Sequence, residues 1–483
     1  MAKSATRHRT VRPRASKEAV PQRPRIGILP LYIALYDEVR PDCRPVREQF
    51  ARDIAKRLDS RGLDVALARV CCVRKEVERE VRALLAKKID LLATLHLAYS
   101  PSLESAEPIA QTDLPLVLLD TTGAATFDEH ATMDDMFHNH GIHGVQDLAS
   151  VLRRLGRAYY VLTGHAEDET FLDEVVVTVR AARAAAALHR CKTIVVGEPF
   201  VGMGDFAVDF AELKDTLGPD VRRAPIEELA ASIKKVSKTA IEAETRADTE
   251  RFDTSGVPQR VLRESNRVGL GLRALLKKAG ANAFSMNFQS FSRRAGTPTV
   301  PFLEASKAMS RGIGYSGEGD ALTASFIAAL MAGFGDATFT EMFCPDWRGG
   351  SIFMSHMGEC NLALAAHKAR IVEKSYGFGD VQNPAVAVFR VRPGAATLVN
   401  IAPAPEGTYC VITSRVEVLD RGMCLTFPDV PHFWVRPEGG DVRAFLRRYS
   451  EWGGTHHLAL LPDDQQAGIK RLAAMLGLEF AAI

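Results

Sequence analysis

Residues 91–97 read Leu91-Leu-Ala-Thr-Leu-His-Leu97. The run is short and almost wholly apolar, without the alternation of a strand that faces water on one side, so it reads as a strand buried on both faces. Residues 74–88, before it, carry apolar side chains at helical spacing, and Pro115-Leu-Val-Leu-Leu119, after it, is a second run of the same kind. Working outward, Ile26-Gly-Ile-Leu29, the amphipathic stretch 44–62 and the strand 64–70 repeat the alternation. Buried strands alternating with helices predict a doubly wound parallel sheet. Ligands bind such sheets at the carboxyl ends of their strands, which singles out His96 and the loop after Asp120. No GxGxxG follows the first strand, so no dinucleotide site is expected.

The chain has 483 residues, too many for one core, so two or three domains are expected. The pattern divides it into a basic tail (1–24), an α/β domain (25–190), a second α/β domain that opens with Lys192-Thr-Ile-Val-Val196 (191–335), and a β-rich domain (336–483). The fold class is therefore α/β: two doubly wound parallel-sheet domains followed by a C-terminal antiparallel sheet or small barrel. The last is read from the runs 385–391, 396–401, 409–413 and 415–419, separated by turns such as Pro393-Gly394 and Glu406-Gly407, with a closing helix at 463–476. Residues 226–252 are charged and helical by propensity, and read as a solvated face.

A net charge of +2 gives no reason to invoke nucleic acid. No apolar run approaches the length of a membrane span, roughly 20 residues. Eight scattered cysteines without a CxxC motif read as reduced thiols of a cytoplasmic protein. The tail has no apolar core of a secretory signal and reads as disordered and solvated, with a transit peptide or a polyanion-binding appendage as alternatives.

The chemistry concentrates downstream. Glu318 stands between glycines in Gly317-Glu-Gly-Asp320, immediately before the apolar run 321–331, at the mouth of a helix that Asp320 is placed to cap. Glu341 follows in Phe339-Thr-Glu-Met342, then Ser355-His-Met357 and Gly453-Gly-Thr-His-His457. Glutamates and histidines in turn-like settings suit a divalent-metal site with mixed oxygen and nitrogen ligands. Singly, each has a plainer reading: a charge favoured at a helix start, or a histidine satisfied in the core. The segment Phe137-His-Asn-His-Gly-Ile-His-Gly144, with His138, His140 and His143, is open to a second metal or to an ordinary loop.

In this order the four motifs resemble the L-arabinose isomerase and L-fucose isomerase superfamily, closer to the arabinose branch. His143-Gly144 and Thr163-Gly-His165 look like that family's substrate-proximal loop and histidine, and Phe288 like its substrate-packing phenylalanine. The resemblance implies an aldose–ketose isomerase that uses Mn²⁺, or another divalent cation such as Co²⁺ or Mg²⁺. It implies the ligands Glu318, Glu341, His356 and His457, with Glu318 and Glu341 also shuttling the proton through a cis-enediol. His456 becomes a neighbour of the ligand and joins His165, Phe288 and His143 around the sugar. A homotrimer or homohexamer is implied, with His165 supplied by the adjacent subunit.

Three departures bear on substrate. The first strand leads into Pro30-Leu-Tyr32, Met342 follows Glu341 where the family carries an acid, and Met357-Gly-Glu-Cys360 differs after His356. They leave the sugar open. They also leave open an epimerase or lyase using the same chemistry, or a non-catalytic sugar-binding relative.

Overall fold

A computed structural model describes residues 23–483, Leu425 apart. The basic tail, with its expected disorder, falls outside the described residues except for Arg23 and Pro24.

The first sheet is parallel throughout. It contains β1 (Arg25–Leu31), β2 (Asp64–Leu67), β3 (Leu91–His96), β4 (Leu116–Asp120) and β5 (Tyr160–Thr163), in the order β2-β1-β3-β4-β5. Its period-two alternation feeds two cores. Leu91, Ala93 and Leu95 pack towards the helices Cys43–Ser60 and Glu169–His189, while Leu92 joins Leu29 and Leu31 against Arg74–Ala86 and Ile142–Arg154. Helices on both faces explain the unbroken apolar runs.

The second parallel sheet holds β6 (Lys192–Val196), β7 (Asp220–Ala224), β9 (Ala283–Met286) and β10 (Gly314–Gly317), in the order β10-β9-β6-β7. β8 (Asp253–Gly256) leaves this sheet and pairs in parallel with β13 (Arg370–Glu373), which pairs antiparallel with β14 (Ala385–Val388). The remaining strands are β11 (Thr338–Asp346), β12 (Ser351–Ser355), β15 (Gly394–Pro403), β16 (Tyr409–Val418), β17 (His432–Pro437), β18 (His457–Pro462) and β19 (Glu479–Ala482). Their order is β15-β18-β11-β12-β17-β16, and β15 also pairs with β16, so six strands close into a barrel with β19 added in parallel to β16. Closure removes the exposed edges an open sheet would leave. The fold is thus two parallel α/β sheets followed by a C-terminal β structure, as expected.

Several details differ from the expectation. The runs 409–413 and 415–419 are one strand, β16, because Ser414 is paired with Leu398 in the ladder. The segment 226–252 is a solvated face only in part. Its first helix buries Leu229 and Ile233, and its second turns Glu244 and Asp248 onto the buried Lys307, at 2.9 and 2.6 Å. Charge there serves an interior ion pair, which periodicity of apolar residues cannot show. The three-histidine segment is not a loop but the junction of helices Met133–Asn139 and Ile142–Arg154.

Candidate metal centre

Glu318 sits at the corner between β10 and the helix Ala321–Phe334. Its φ is +64°, a left-handed conformation that a residue with a side chain seldom adopts. The corner is fastened on all sides. Glu318 N donates to Met286 O (2.8 Å), its carbonyl accepts from Phe200 N (2.8 Å), and Ser285 Oγ accepts from Gly319 N (2.9 Å). Gly319 has φ +94°, and a Cβ there would come within 2.4 Å of Pro199 Cα. Asp320 caps the helix as expected, accepting from Thr323 N at 2.8 Å. Its other oxygen has a second duty: it accepts from His457 Nδ1 at 2.9 Å.

Three neighbouring barrel strands bring the remaining donors into register. On β11, Glu341 is paired with Ser355 of β12 on one side and with His457 of β18 on the other. His356 directly follows Ser355. Glu341 Oε1 therefore lies 3.2 Å from His457 Nε2 and 3.3 Å from His356 Nε2. His457 Nε2 lies 3.4 Å from Glu318 Oε2, and His456 Nε2 3.6 Å from the same oxygen. Donor atoms of Glu318, Glu341, His456 and His457 all fall within 4.8 Å of one another. His356 adjoins this group through Glu341.

Each imidazole is held at Nδ1 by a carboxylate: His356 by Glu359 (2.7 Å), His457 by Asp320 (2.9 Å) and His456 by Asp205 (2.6 Å). A neutral ring held this way carries its proton on Nδ1 and turns the Nε2 lone pair to the centre, the arrangement that orients metal-ligating histidines. Tyr315 donates to the other oxygen of Glu359. Phe206 stacks on His457 at 4.8 Å, and Phe339 meets it edge-on at 4.9 Å.

The electrostatics are those of a site with too much negative charge. Burial works against ionisation of Glu318, but the imidazoles of His456 and His457 beside it outweigh burial and hold its carboxyl at about 2. Burial likewise opposes ionisation of Glu341, and His356 and His457 overcome it, so its carboxyl stays well below the ordinary range. Conversely, burial disfavours a charged His356, yet Glu359 and Glu341 drive it up to about 10. Protons satisfy such a cluster in the absence of a cation, and a dication would replace them. Glu318 Oε2 and His457 Nε2 are both buried and make no hydrogen bond among the described residues, although they face each other at 3.4 Å. Orphaned donors of this kind, with mixed oxygen and nitrogen chemistry, fit a divalent cation.

Of the other residues singled out, Phe288 packs against Phe200 and Phe378, with ring centroids 5.8 and 5.7 Å away, and so belongs to the wall beside Glu318. His165 and His143 are not brought to Glu318 within the chain. His165 bonds Gly123 O (3.2 Å) in the first sheet's loops, and His143 lies beside His140, 5.8 Å between rings. His140 spends both nitrogens, on Tyr36 Oη and Met136 O, each at 2.9 Å. His96 is corrected from a ligand-facing residue to a structural one. It is buried, bonded to Thr94 Oγ1 (3.1 Å) and Ser100 Oγ (2.8 Å), and burial pushes its pKa down to about 3. The sequence carries no mark of Asp205 or Phe206, and Glu359 stands in it only as part of the departure at 357–360. Glu359 follows His356 by one helical-turn spacing, a usable signal, whereas nothing local ties Asp205 to a histidine 251 positions away.

Comparison with known proteins agrees with the geometry. The model of the L-arabinose isomerase central domain matches residues 205–334, and that of the L-arabinose isomerase C-terminal domain matches 336–479. The L-arabinose isomerase of Nocardioides sp. is 27% identical over 363 residues, covering 73% of this chain and 71% of the relative. That of Herpetosiphon aurantiacus is 26% identical, covering 82% and 80%, and that of Geobacillus thermodenitrificans 26% identical, covering 73% and 72%. A transporter solute-binding protein from Agrobacterium vitis, solved with alpha-D-tagatopyranose, covers 65% of this chain and 90% of its own at 13% identity and a TM-score of 0.16, too low to bear on fold or ligand. With two consecutive domain models spanning residues 205–479 and relatives of one name along most of its length, the chain belongs to the L-arabinose isomerase family and is an enzyme of the sugar-isomerase class.

Proposed function

We propose that the enzyme is a metal-dependent aldose–ketose isomerase acting on a free L-arabinose- or L-fucose-like sugar by proton transfer through a cis-enediol. The observation that carries this reading is the pair of facing, unbonded atoms Glu318 Oε2 and His457 Nε2 inside a ring of further carboxylate and imidazole donors. Glu318, Glu341, His356 and His457 would hold the cation, Mn²⁺ in our reading, with Co²⁺ or Mg²⁺ as substitutes. A divalent cation supplies Lewis-acid stabilisation of the negative charge that develops on the sugar oxygens.

The protein's own part is proton handling and positioning. Glu318 and Glu341 are kept ionised by the imidazoles beside them, so either can accept a proton from the carbon next to a carbonyl and return it to the adjacent carbon. Such general acid–base transfer contributes about 10²–10⁴-fold. One carboxylate is fixed by a fastened corner and the other by a barrel strand, which preserves their spacing during the transfer. Phe200, Phe206 and Phe288 form an apolar wall that keeps water from a reactive enediol. His165 and His143 lie with the first sheet, away from Glu318 in their own chain, and a homotrimer or homohexamer is the assembly in which an adjacent copy would bring them to the sugar. The free state of all eight cysteines suits the cytoplasm. The units 25–190, 191–335 and 336–483 are our proposed domains.

The test strips the purified protein with EDTA and assays ketose formation from L-arabinose, D-galactose and L-fucose with and without Mn²⁺. Turnover restored by manganese on one sugar supports the proposal and identifies the substrate. Bound metal with no isomerisation of any aldose overturns it in favour of an epimerase or lyase, and light scattering showing a fully active monomer overturns the shared site.

A further inference from the structure

Between β13 and β14 the chain makes a loop, 374–384, that is fastened to the segment following Phe288. Gln382 N donates to Pro298 O at 2.7 Å, Thr299 Oγ1 to Gln382 O at 3.1 Å, and Arg293 N to Asp380 O at 2.8 Å. Tyr376 N donates to Asn383 Oδ1 at 3.0 Å, which closes the loop on itself. Tied at these points, the loop holds two aromatic side chains in place, Tyr376 and Phe378.

These side chains prolong the wall beside Glu318. Phe378 stands 5.7 Å from Phe288, and Phe288 5.8 Å from Phe200, whose N–H donates to Glu318 O. Phe378 is 53% exposed, so its ring is not there to fill a core. Tyr376 lies behind it at 5.4 Å, and Phe302 meets Tyr376 edge-on at 5.6 Å. The Tyr376 ring is thus gripped on two sides, and the residue is 7% exposed.

Its hydroxyl is not matched to that burial. Among the described residues Tyr376 Oη has no hydrogen-bond partner, whereas the nearby Tyr315 spends its hydroxyl on Glu359. A buried tyrosine hydroxyl ordinarily finds a partner. Burial raises the phenol, and the carboxylates of Glu359 and Glu318 raise it further, so it stays a protonated donor within the field of the metal centre. An apolar ring face next to a bare hydroxyl matches a sugar, which offers carbon faces and hydroxyl oxygens side by side.

We propose that Tyr376 is a specificity-determining residue: its hydroxyl donates to a sugar hydroxyl beyond the reacting C1–C2 pair, while Phe378 packs on the sugar's carbon face. The proposal rests on the isomerase reading only for the sugar's place beside Glu318.

The experiment is titration calorimetry on the full-length, manganese-loaded protein with L-arabinitol, L-fucitol and galactitol, the unreactive polyols of the three candidate aldoses. At least one should bind. Tyr376→Phe keeps the gripped ring and removes only the hydroxyl, so it should weaken that polyol about tenfold and leave Mn²⁺ affinity and the melting temperature unchanged. The 3-, 4- and 5-deoxy derivatives of the polyol then identify the oxygen, because the one that lacks it should bind both proteins equally. The proposal is overturned if the unaltered protein binds no polyol, or if Tyr376→Phe binds as tightly. The same loss for every deoxy derivative, or a matching loss of Mn²⁺ affinity, overturns it too, since the hydroxyl would then act through the fold or the cation. A polyol weakened by Tyr376→Phe in a protein that isomerises no aldose upholds the proposal and sinks the isomerase reading instead.

Discussion

Glu318 combines two properties that rarely meet in one residue: a left-handed backbone and a buried carboxylate oxygen with no hydrogen bond among the described residues. Strain and an unsatisfied acceptor both raise the energy of the folded chain, and they persist where the surroundings over-determine them. Replacing the carboxylate with an amide keeps the shape and removes the base, so Glu318→Gln should lower kcat by at least about 10²-fold while leaving the circular-dichroism melt intact. Turnover near that of the unaltered enzyme would exclude Glu318 from proton transfer. Within the histidine pair, His457 is wholly buried and touches both glutamates, whereas the His456 side chain is 40% exposed and touches one. His457→Ala should therefore weaken Mn²⁺ affinity more than His456→Ala in a metal titration, and the opposite ranking would reassign the ligand. Protons and cation compete for the same nitrogens. Because the carboxylates raise His356 and His457 in the cation-free protein, affinity should fall as pH is lowered from about 8 to 6, by up to about tenfold per unit for each proton displaced. A flat profile would mean that the rings do not ligate. At this scale the sequence was readable where function coincides with a local rule: Asp320 was recognisable as a cap. Its second role, holding His457, depends on an approach across 137 positions that no spacing encodes.

The elements carrying these residues were legible to different degrees. β3 and the helix after Asp320 announce themselves because they are buried on nearly every side and therefore almost wholly apolar. β11 does not, although it carries Glu341. Its ladder with β12 slips between Met342 and Cys344, which breaks the alternation, and Pro345 lies within it. Likewise β18 begins at His457, so its polar start conceals the strand. The β10–helix corner offers a test of how far the site depends on its element. Gly319→Ala would force a side chain into a positive-φ position and against the Pro199 backbone. We expect a loss of about 2–4 kcal/mol in urea unfolding, from left-handed strain and overpacking together. Activity should fall with it, because the segment carrying Phe200 to Phe206 must shift. Unchanged stability and turnover would show that the corner has more freedom than its contacts allow.

Across the whole molecule, stability and function draw on different interiors. Lys307 is buried on the helix Phe302–Met309, within reach of Glu244, Asp248 and Asn266, and Arg273 joins Glu244 to Glu304. Removing one member of a buried ion network leaves the others uncompensated, so Lys307→Met should destabilise the protein by about 3–5 kcal/mol in chemical denaturation without altering KM. Burial alone would raise Glu244, but Lys307 and Arg273 hold it near 2, below its ordinary 4.5. Its contribution is therefore present above pH 4.5 and lost as pH falls towards 2, a loss that Lys307→Met should reduce. A variant as stable as the parent would show that the pairing only offsets its own desolvation. The donors of the candidate metal centre have the opposite distribution. Glu318 directly follows β10 of the second parallel sheet, while Glu341 and His457 lie on barrel strands and His356 directly follows one. An occupant held among them is thus a rivet through two plates. Its binding energy is shared by both, so loading should slow amide exchange on β10 and on β11 together, and removing the occupant should let the plates breathe at separate rates.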